Sequence, residues 1–596
     1  MIALRVYRML PKEHRLRMLQ VLPPQRQLWL VRRLTRISSR GTRTPLGKLR
    51  TVRDGAGQVQ ARVVAAATPA ERWLHNLDLV TAAFDEAGVS YFAVPTLNER
   101  RSAVAVREQD RDAALRALAT VSAKDGVTVR LPDRARPGRQ GGVAQVFAAV
   151  TDPFGRTVLG RAFACDVEFW PDAPAEEYPI PHIVAPRPNR IAAALPTAGA
   201  TVAVPTRRLS RFAGDDTTCR SRAEFAGLSY DEVTFPIDVV YTWVDGDDSD
   251  WRERKNRALR EHGAAEMNEV AANDARYVSR DELRYSMRSL VAYAPWVRQV
   301  YLVTDDQVPP WLDVTHPMVR VVRHREIFAD TGRLPTFNSH AIESRLHRIP
   351  GLSEHFIYVN DDMFFGRPLV PTAFFHANGI AKFFPSPAQL DVGPATVHDA
   401  PVTAAGKNNR RHIEERFGRT ISQKMRHVPY PLRRSVLEDI ERQLPDEVLA
   451  TAEHQFRHPK DLSIPSSLQH YWSYLSGTSV PGSIRYTYAD LAHPSTPVKL
   501  AALLSRRHCD VFCLNDTDSS EVLHSEQQAM LADFLSAYLP FRAPFEVSPE
   551  VEAQRRGRTA SALAAELLTA PPAGAAPRQG VGRAPLGPAG QPEPVH

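Results

Sequence analysis

Residues 356–366, FIYVNDDMFFG, run an apolar strand straight into Asn360, Asp361 and Asp362. Adjacent carboxylates at the end of a buried strand are costly unless something offsets their charge, because burial strips an ionised group of its hydration. A divalent cation bridging phosphate oxygens is the commonest compensation. A polar turn or helix cap is the plainer reading. The arrangement recurs along the chain: Asp245, Asp247 and Asp248 follow the strand-like run 237–244, Asp305 and Asp306 follow 300–304, and Asn515, Asp516 and Asp518 follow a short apolar run ending at Leu514. Open α/β sheets bind ligands at the carboxyl ends of their strands, so four acidic strand ends point to one shared crevice.

The intervening segments read as crossover helices. Ser279 with Glu282 has the spacing of a capping box, and Leu283, Met287, Leu290 and Val291 follow at helical spacing until Pro295. Asn338 or Ser339 caps a second helix carrying Ile342, Leu346 and Ile349 on one face. This alternation predicts an α/β fold with a doubly wound, mostly parallel, Rossmann-like sheet and right-handed crossovers. The catalytic core is placed at residues 235–545, preceded by a smaller α+β region at 70–230. In that region 74–87 and 110–119 read as helices, and 91–94 and 104–106 as strands.

A chain of 596 residues exceeds what one hydrophobic core usually supports, so more than one domain is expected. No apolar run reaches the roughly 18 residues of a membrane span. Arg5, Arg8 and Lys12 interrupt the opening stretch, and no small-residue cleavage site follows it. The expected address is therefore cytoplasmic. Cys165, Cys219, Cys509 and Cys513 are too few and scattered for a disulfide framework, and Cys509 with Cys513 lacks the further ligands of a zinc site. They read as core residues.

The first 53 residues hold fourteen Lys or Arg against the single acidic Glu13, an excess of 13 charges in a chain of net +8. The basic character is thus a property of the N-terminus. With Leu16, Leu19, Leu28, Trp29 and Leu30 interleaved, this segment suits peripheral contact with an anionic membrane, at the inner face. A solvated arm without a partner is the alternative. No nucleic-acid fold or aromatic platform accompanies it, so no nucleic acid is expected. Residues 549–596, rich in Ala, Pro, Gly and Arg, read as a disordered tail.

The stretches IDVVYTWVDG, RDELRYSMRSLVAYAPWVRQVYLVTDDQVPPWL, LPTFNSHAIESRLHRIPGLSEHFIYVNDDMFFG, RHVPYPLRR and CLND resemble, in the same order, the characteristic regions of the Stealth proteins. These are bacterial sugar-phosphate transferases of capsule and exopolysaccharide synthesis, related to the animal enzyme that adds N-acetylglucosamine-1-phosphate to lysosomal glycoproteins. The resemblance spans residues 236–525. It implies an exopolysaccharide phosphotransferase: an acceptor glycan hydroxyl attacks the β-phosphorus of a nucleotide sugar, a UDP-sugar for preference, and a nucleoside monophosphate leaves.

Phosphoryl transfer asks for charge neutralisation and in-line positioning more than for covalent help. Asp361, Asp362 and Asp516 are the candidate ligands of Mg²⁺ or Mn²⁺, with Asn360 and Asn515 orienting them or the phosphate. His427, matching the family's RHVPYP region, is the preferred general base, with one of Asp361 and Asp362 as the alternative. Arg457 also matches a family arginine and suits a diphosphate. Arg280 opens the first crossover helix, where an anion is favoured, whereas Glu282 is assigned to the capping box. Asn338 and His340 are placed near the donor, His347 at the surface, and Asp245 and Trp243 against the nucleotide. An ordinary glycosyltransferase is the competing activity, since Asp245, Gly246 and Asp247 form a D-x-D tripeptide.

Overall fold

The computed structural model describes residues 42–55, 57–131, 142–262, 277, 279–329, 331–493, 495–515 and 521–568. Most of the basic segment 1–53, Asp516, Asp518 and residues 569–596 lie outside the described residues. No helix among the described residues is long and apolar enough to cross a membrane.

The chain is mixed α/β. The elements that position the site are β1 (Ile237–Thr242), α1 (Ser249–His262), α2 (Glu282–Tyr293), β2 (Val300–Thr304), β3 (Val319–Arg323), α3 (Ser339–Glu343), β4 (His355–Asn360), β5 (Met363–Phe365), β6 (Tyr430–Arg433), β7 (Tyr486–Asp490) and β8 (Val511–Asn515). One five-stranded sheet has the order β3-β2-β1-β4-β6, the first four strands parallel and β6 antiparallel to β4. Parallel strands covered on both faces read as unbroken apolar runs. Accordingly, every residue of β2 and all but the last of β1 are buried. Asp238 is buried inside β1 but partnered: Arg298 donates to both its oxygens at 2.8 and 2.6 Å, and the Ser353 N–H adds a bond of 2.7 Å.

The remaining strands of the core form smaller sheets of mixed direction, and one of them decides where the site lies. After β4 the chain turns through Asp361 and Asp362 and leaves the first sheet as β5, which pairs antiparallel with β8 in the order β5-β8-β7. Met363 faces Cys513 across that ladder, and the Leu514 N–H donates to the Asp362 carbonyl at 2.9 Å. Helix α2 fixes the turn from behind. Its Ser286 hydroxyl bonds both Tyr241 of β1 and the Met363 carbonyl, and Ser289 accepts from the Phe365 N–H at 2.9 Å.

Two readings of local structure are corrected. The capping box at Ser279 does not form: α2 starts at Glu282, behind Asp281 in the left-handed region at φ 66°, and the Glu282 carboxylate accepts from the Arg280 N–H at 2.6 Å. The box needs Glu282 in the third helical position, whereas it stands in the first. The second helix also stops early, at Glu343, with Leu346–Arg348 continuing as a separate 3₁₀ turn.

Ahead of the core, a seven-stranded sheet carries the helices Pro69–Glu86 and Arg111–Ser122 over Trp73, Leu77, Val80, Phe84 and Leu118. The helix readings at 74–87 and 110–119 overlap these helices, and the strand readings at 91–94 and 104–106 overlap the strands Phe92–Ala93 and Ser102–Arg107. The tail, by contrast, is ordered well past residue 549. Helices Pro549–Arg555 and Ala560–Leu567, capped by Ser548 and Thr559, lie against the core. Leu563 packs on Val308, while Arg284 of α2 holds Glu546 at 2.8 Å and Glu552 at 3.0 Å. The segment reads as low in large apolar residues, yet Ala560, Leu563 and Ala564 share one helical face and need little more than a groove.

Glu441 gathers Arg345, His347 at 2.6 Å and Arg348 at 2.6 Å around one carboxylate. His347, expected at the surface, is therefore buried and partnered. Burial opposes the charge on Glu441, but the bonds from His347 and Arg348 hold its pKa down at about 2. A depressed carboxylate contributes stability above its unfolded pKa of about 4.3 and loses it as pH falls toward the folded value. Glu441→Gln is expected to lower stability to urea by about 1–3 kcal/mol at pH 7. The gap should narrow below about pH 4; a gap unchanged with pH would contradict this role.

Candidate active site

The carboxyl ends of β1 and β4 open onto a cavity of about 200 Å³ lined by Thr242, Trp243, Trp251, Phe337, Asn360 and Arg457, among others. Asp361 also lines it. Burial, and then the neighbouring charges of Glu282 and Asp362, push the Asp361 carboxyl well above the usual carboxylate range. Glu282, raised mainly by burial, is pushed up to about 7. Three carboxyls crowd one end of a strand, and the Arg280 guanidinium lies 3.9 Å from Glu282. Carboxyl pKa values displaced by burial and like charge cluster at functional sites.

Asp362, next along the turn, makes different contacts. Its Oδ1 lies 3.3 Å from His427 Nε2, and its Oδ2 accepts from the Cys513 thiol at 3.2 Å. His427 Nδ1 in turn lies 3.4 Å from the Tyr430 hydroxyl. Burial works against charge on this imidazole, but the Asp362 carboxylate outweighs it and raises the pKa of His427. The arrangement is an imidazole oriented by a hydroxyl on one nitrogen and a carboxylate on the other, able to take up a proton.

On the cavity wall Arg457 donates from Nη2 to Ser339 Oγ at 2.7 Å, while its buried Nη1 finds no hydrogen-bond partner among the described residues. The Asn360 Oδ1 is likewise buried without a partner among the described residues. Buried polar atoms are nearly always satisfied, so two orphaned ones on a single cavity mark a place for a polar ligand.

The convergence expected of four acidic strand ends is corrected in part. Asp245 uses its Oδ1 to accept the Asp247 N–H at 3.0 Å, and Asp248 accepts from the N–H groups of Asp250, Trp251 and Ser561. Asp305 pairs with Arg254 at 2.9 Å and Asp306 with Arg325 at 3.1 Å. These ends are turns, caps and ion pairs, although burial and the charges of Asp247 and Asp248 also raise the pKa of Asp245. Asp516 lies outside the described residues. Asn515 ends β8, its carbonyl accepting the Leu491 N–H at 2.7 Å.

Asn338 and His340 also stand apart from the cavity lining. The Asn338 amide donates to Asp461 at 2.8 Å, and His340 Nδ1 lies 3.4 Å from the same carboxylate, all three residues being buried. Asp461 also holds His454 at 2.7 Å and the His458 N–H at 2.9 Å. It thereby ties the loop bearing Arg457 to the start of α3, and Asn338 and His340 position that loop. Sequence reasoning missed Glu282, Cys513 and Asp461 as neighbours of the site. The one signal for Glu282 was its place beside Arg280; a buried thiol and a distant aspartate gave none.

Four family models match the chain, described as Stealth protein conserved region 1 at residues 235–263, region 2 at 276–383, region 3 at 426–474 and region 4 at 501–556. An exopolysaccharide phosphotransferase of Streptomyces coelicolor is 48% identical over 491 residues, covering 79% of this chain and 82% of that protein. A second from the same organism is 44% identical, covering 83% and 88%. The exopolysaccharide phosphotransferase CpsY of Mycobacterium leprae is 39% identical over 53% of this chain and 58% of its own length. The chain belongs to the Stealth family. It is an enzyme of the transferase class that these relatives represent. Within this Stealth protein, region 2 supplies Arg280, Glu282 and the Asp361–Asp362 turn, region 3 supplies His427 and Arg457, and region 4 supplies Cys513 and Asn515. The match runs past residue 525, in keeping with the ordered helix at Pro549–Arg555.

The Asp362 contact should be visible in the titration of His427. In metal-free protein its imidazole resonances are expected to titrate above the unperturbed value of about 6.5, and Asp362→Asn should bring the pKa down. A His427 pKa that does not respond to Asp362→Asn would contradict the coupling.

Proposed function

We propose that this Stealth protein transfers sugar-1-phosphate from a nucleotide-diphosphate sugar to a hydroxyl of an acceptor glycan in exopolysaccharide synthesis. The acceptor oxygen forms a bond to the β-phosphorus, the bond from that phosphorus to the bridging oxygen breaks, and a nucleoside monophosphate departs. The proton of the hydroxyl goes to the His427 imidazole, and the Asp362 carboxylate, 3.3 Å from Nε2, stabilises the resulting imidazolium. The observation that carries this reading is the division of labour at the β4 turn: Asp361 faces the cavity, and its neighbour Asp362 touches the imidazole.

The cavity supports the donor half. At about 200 Å³ it is smaller than the roughly 300–1,000 Å³ of pockets that engulf a ligand, so it takes part of the donor and leaves the transferred end near the turn. Trp243 and Trp251 offer apolar surface to the base, and Arg457 Nη1 and Asn360 offer polar atoms to the diphosphate. The reversal of strand order between β1 and β4 is where doubly wound sheets place nucleotides, and we read the five-stranded sheet as Rossmann-like on that ground.

The crowding of Asp361, Asp362 and Glu282 fits a hard divalent cation bound by oxygen. Asp361 and Asp362 would hold Mg²⁺ or Mn²⁺, with Asp516 as a further carboxylate outside the described residues. Such an ion, when bound, neutralises charge on the diphosphate. In the D-x-D alternative, Asp245 already uses Oδ1 to accept the Asp247 N–H.

Purified protein supplied with UDP-, GDP- or CDP-sugars, Mg²⁺ and a polysaccharide primer is expected to release a nucleoside monophosphate. Asp361→Asn or Asp362→Asn should slow release by about a hundredfold to a thousandfold while leaving the far-UV circular dichroism unchanged. Release of a nucleoside diphosphate would favour simple glycosyl transfer, and near-normal turnover in both variants would overturn the assignment.

A further inference from the structure

Asp362 is bracketed by a nitrogen and a sulfur, a pairing that magnesium chemistry does not explain. Its Oδ1 lies 3.3 Å from His427 Nε2 and its Oδ2 lies 3.2 Å from Cys513 Sγ, and one ligand atom from each of the three residues lies within 4.8 Å of the others. Zinc bonds of about 2.0–2.3 Å at the tetrahedral angle separate neighbouring ligand atoms by about 3.3–3.5 Å. The nitrogen and the sulfur each lie at about that spacing from one oxygen of the carboxylate, and the three ligand atoms fit within 4.8 Å. The donors come from three elements fixed independently: the β4–β5 turn, the approach to β6, and β8. The Tyr430 hydroxyl at 3.4 Å from His427 Nδ1 holds the ring so that Nε2 faces Asp362. Cys513 forms the closed floor at 0% exposure, while the side chains of Asp362 and His427 are 18% and 28% exposed, which leaves the fourth position open.

We propose that Asp362, His427 and Cys513 form a binding site for a thiophilic divalent cation such as Zn²⁺, and that its occupation switches the enzyme off. Thiolate and imidazole donors select such an ion over Mg²⁺, which prefers all-oxygen coordination. Binding places the metal on Cys513 Sγ and releases the thiol proton to solvent. It also occupies His427 Nε2 and separates the imidazole from Asp362, so the imidazolium that would form on proton uptake loses its stabilising carboxylate. The inhibitory part rests on the reading of His427 as general base; the existence of the site does not. Because both cations draw on Asp362, a rise in Mg²⁺ should weaken the inhibition.

Co²⁺ serves as the spectroscopic probe and Zn²⁺ as the inhibitor, both with the full chain. One equivalent of Co²⁺ is expected to give a near-ultraviolet thiolate-to-metal band that Cys513→Ser abolishes. X-ray absorption of the Zn²⁺-loaded wild type should show one sulfur at about 2.3 Å, a measurement that does not depend on any variant folding. In nucleotide-release assays at fixed Mg²⁺, Zn²⁺ should inhibit the wild type at least about tenfold more strongly than Cys513→Ser. A shell of nitrogen and oxygen alone, or no cobalt band, would overturn the site. Sulfur-bound Zn²⁺ without effect on transfer, or equal inhibition of the two proteins, would overturn the inhibitory role.

Discussion

Electrostatic crowding at the turn between β4 and β5 is the constraint on which the rest of the site depends. A strand whose body is wholly apolar ends in two carboxylates, and a third, Glu282, is brought beside them by the helix that crosses from β1 to β2. Burial makes each charge costly and proximity makes them costlier together. The fold holds the strain with neutral bonds: Ser286 and Ser289 grip the backbone of β5, and the antiparallel partner β8 fixes the turn from the other side. None of these bonds brings a positive charge, and the pKa values of Asp361 and Glu282 stand above the usual carboxylate range.

The same turn divides the chemistry into two faces. One side carries the cavity, with orphaned polar atoms on Arg457 and Asn360; the other carries His427 and Cys513 on the two oxygens of Asp362. In the proposed reaction, proton transfer and diphosphate binding would then fall to adjacent residues on separate faces. Asp461 works at longer range, gathering Asn338, His340, His454 and the backbone at His458 so that the loop carrying Arg457 is held against the start of α3.

Much of this was legible in the sequence where the signal was local. The apolar runs of β1, β2 and β4 and the helical spacing of Leu283, Met287 and Leu290 placed the parallel unit, and the pair Asp361–Asp362 marked the site. Failures came where tertiary contacts decide. Asp245 and Asp305 look like Asp361 in sequence, but Gln307, Arg254 and the distant Ser561 N–H occupy those strand ends. Glu282 has capping-box spacing from Ser279, yet α2 begins later and the side chain becomes a neighbour of Asp361. Cys513 reads as a core thiol, and only the antiparallel pairing of β5 with β8 sets it against Asp362. The Ala-rich helix Ala560–Leu567 is ordered because Val308 and the cap at Asp248 await it.

Titration of the protein with Mn²⁺, followed by electron paramagnetic resonance of the free ion, addresses the central claim most directly. If the crowded acids of the β4 turn form a cation site, the wild type removes Mn²⁺ from solution saturably, Mg²⁺ competes for it, and Asp361→Asn sharply weakens the uptake. Mn²⁺ binding of equal strength in the wild type and Asp361→Asn would contradict the account.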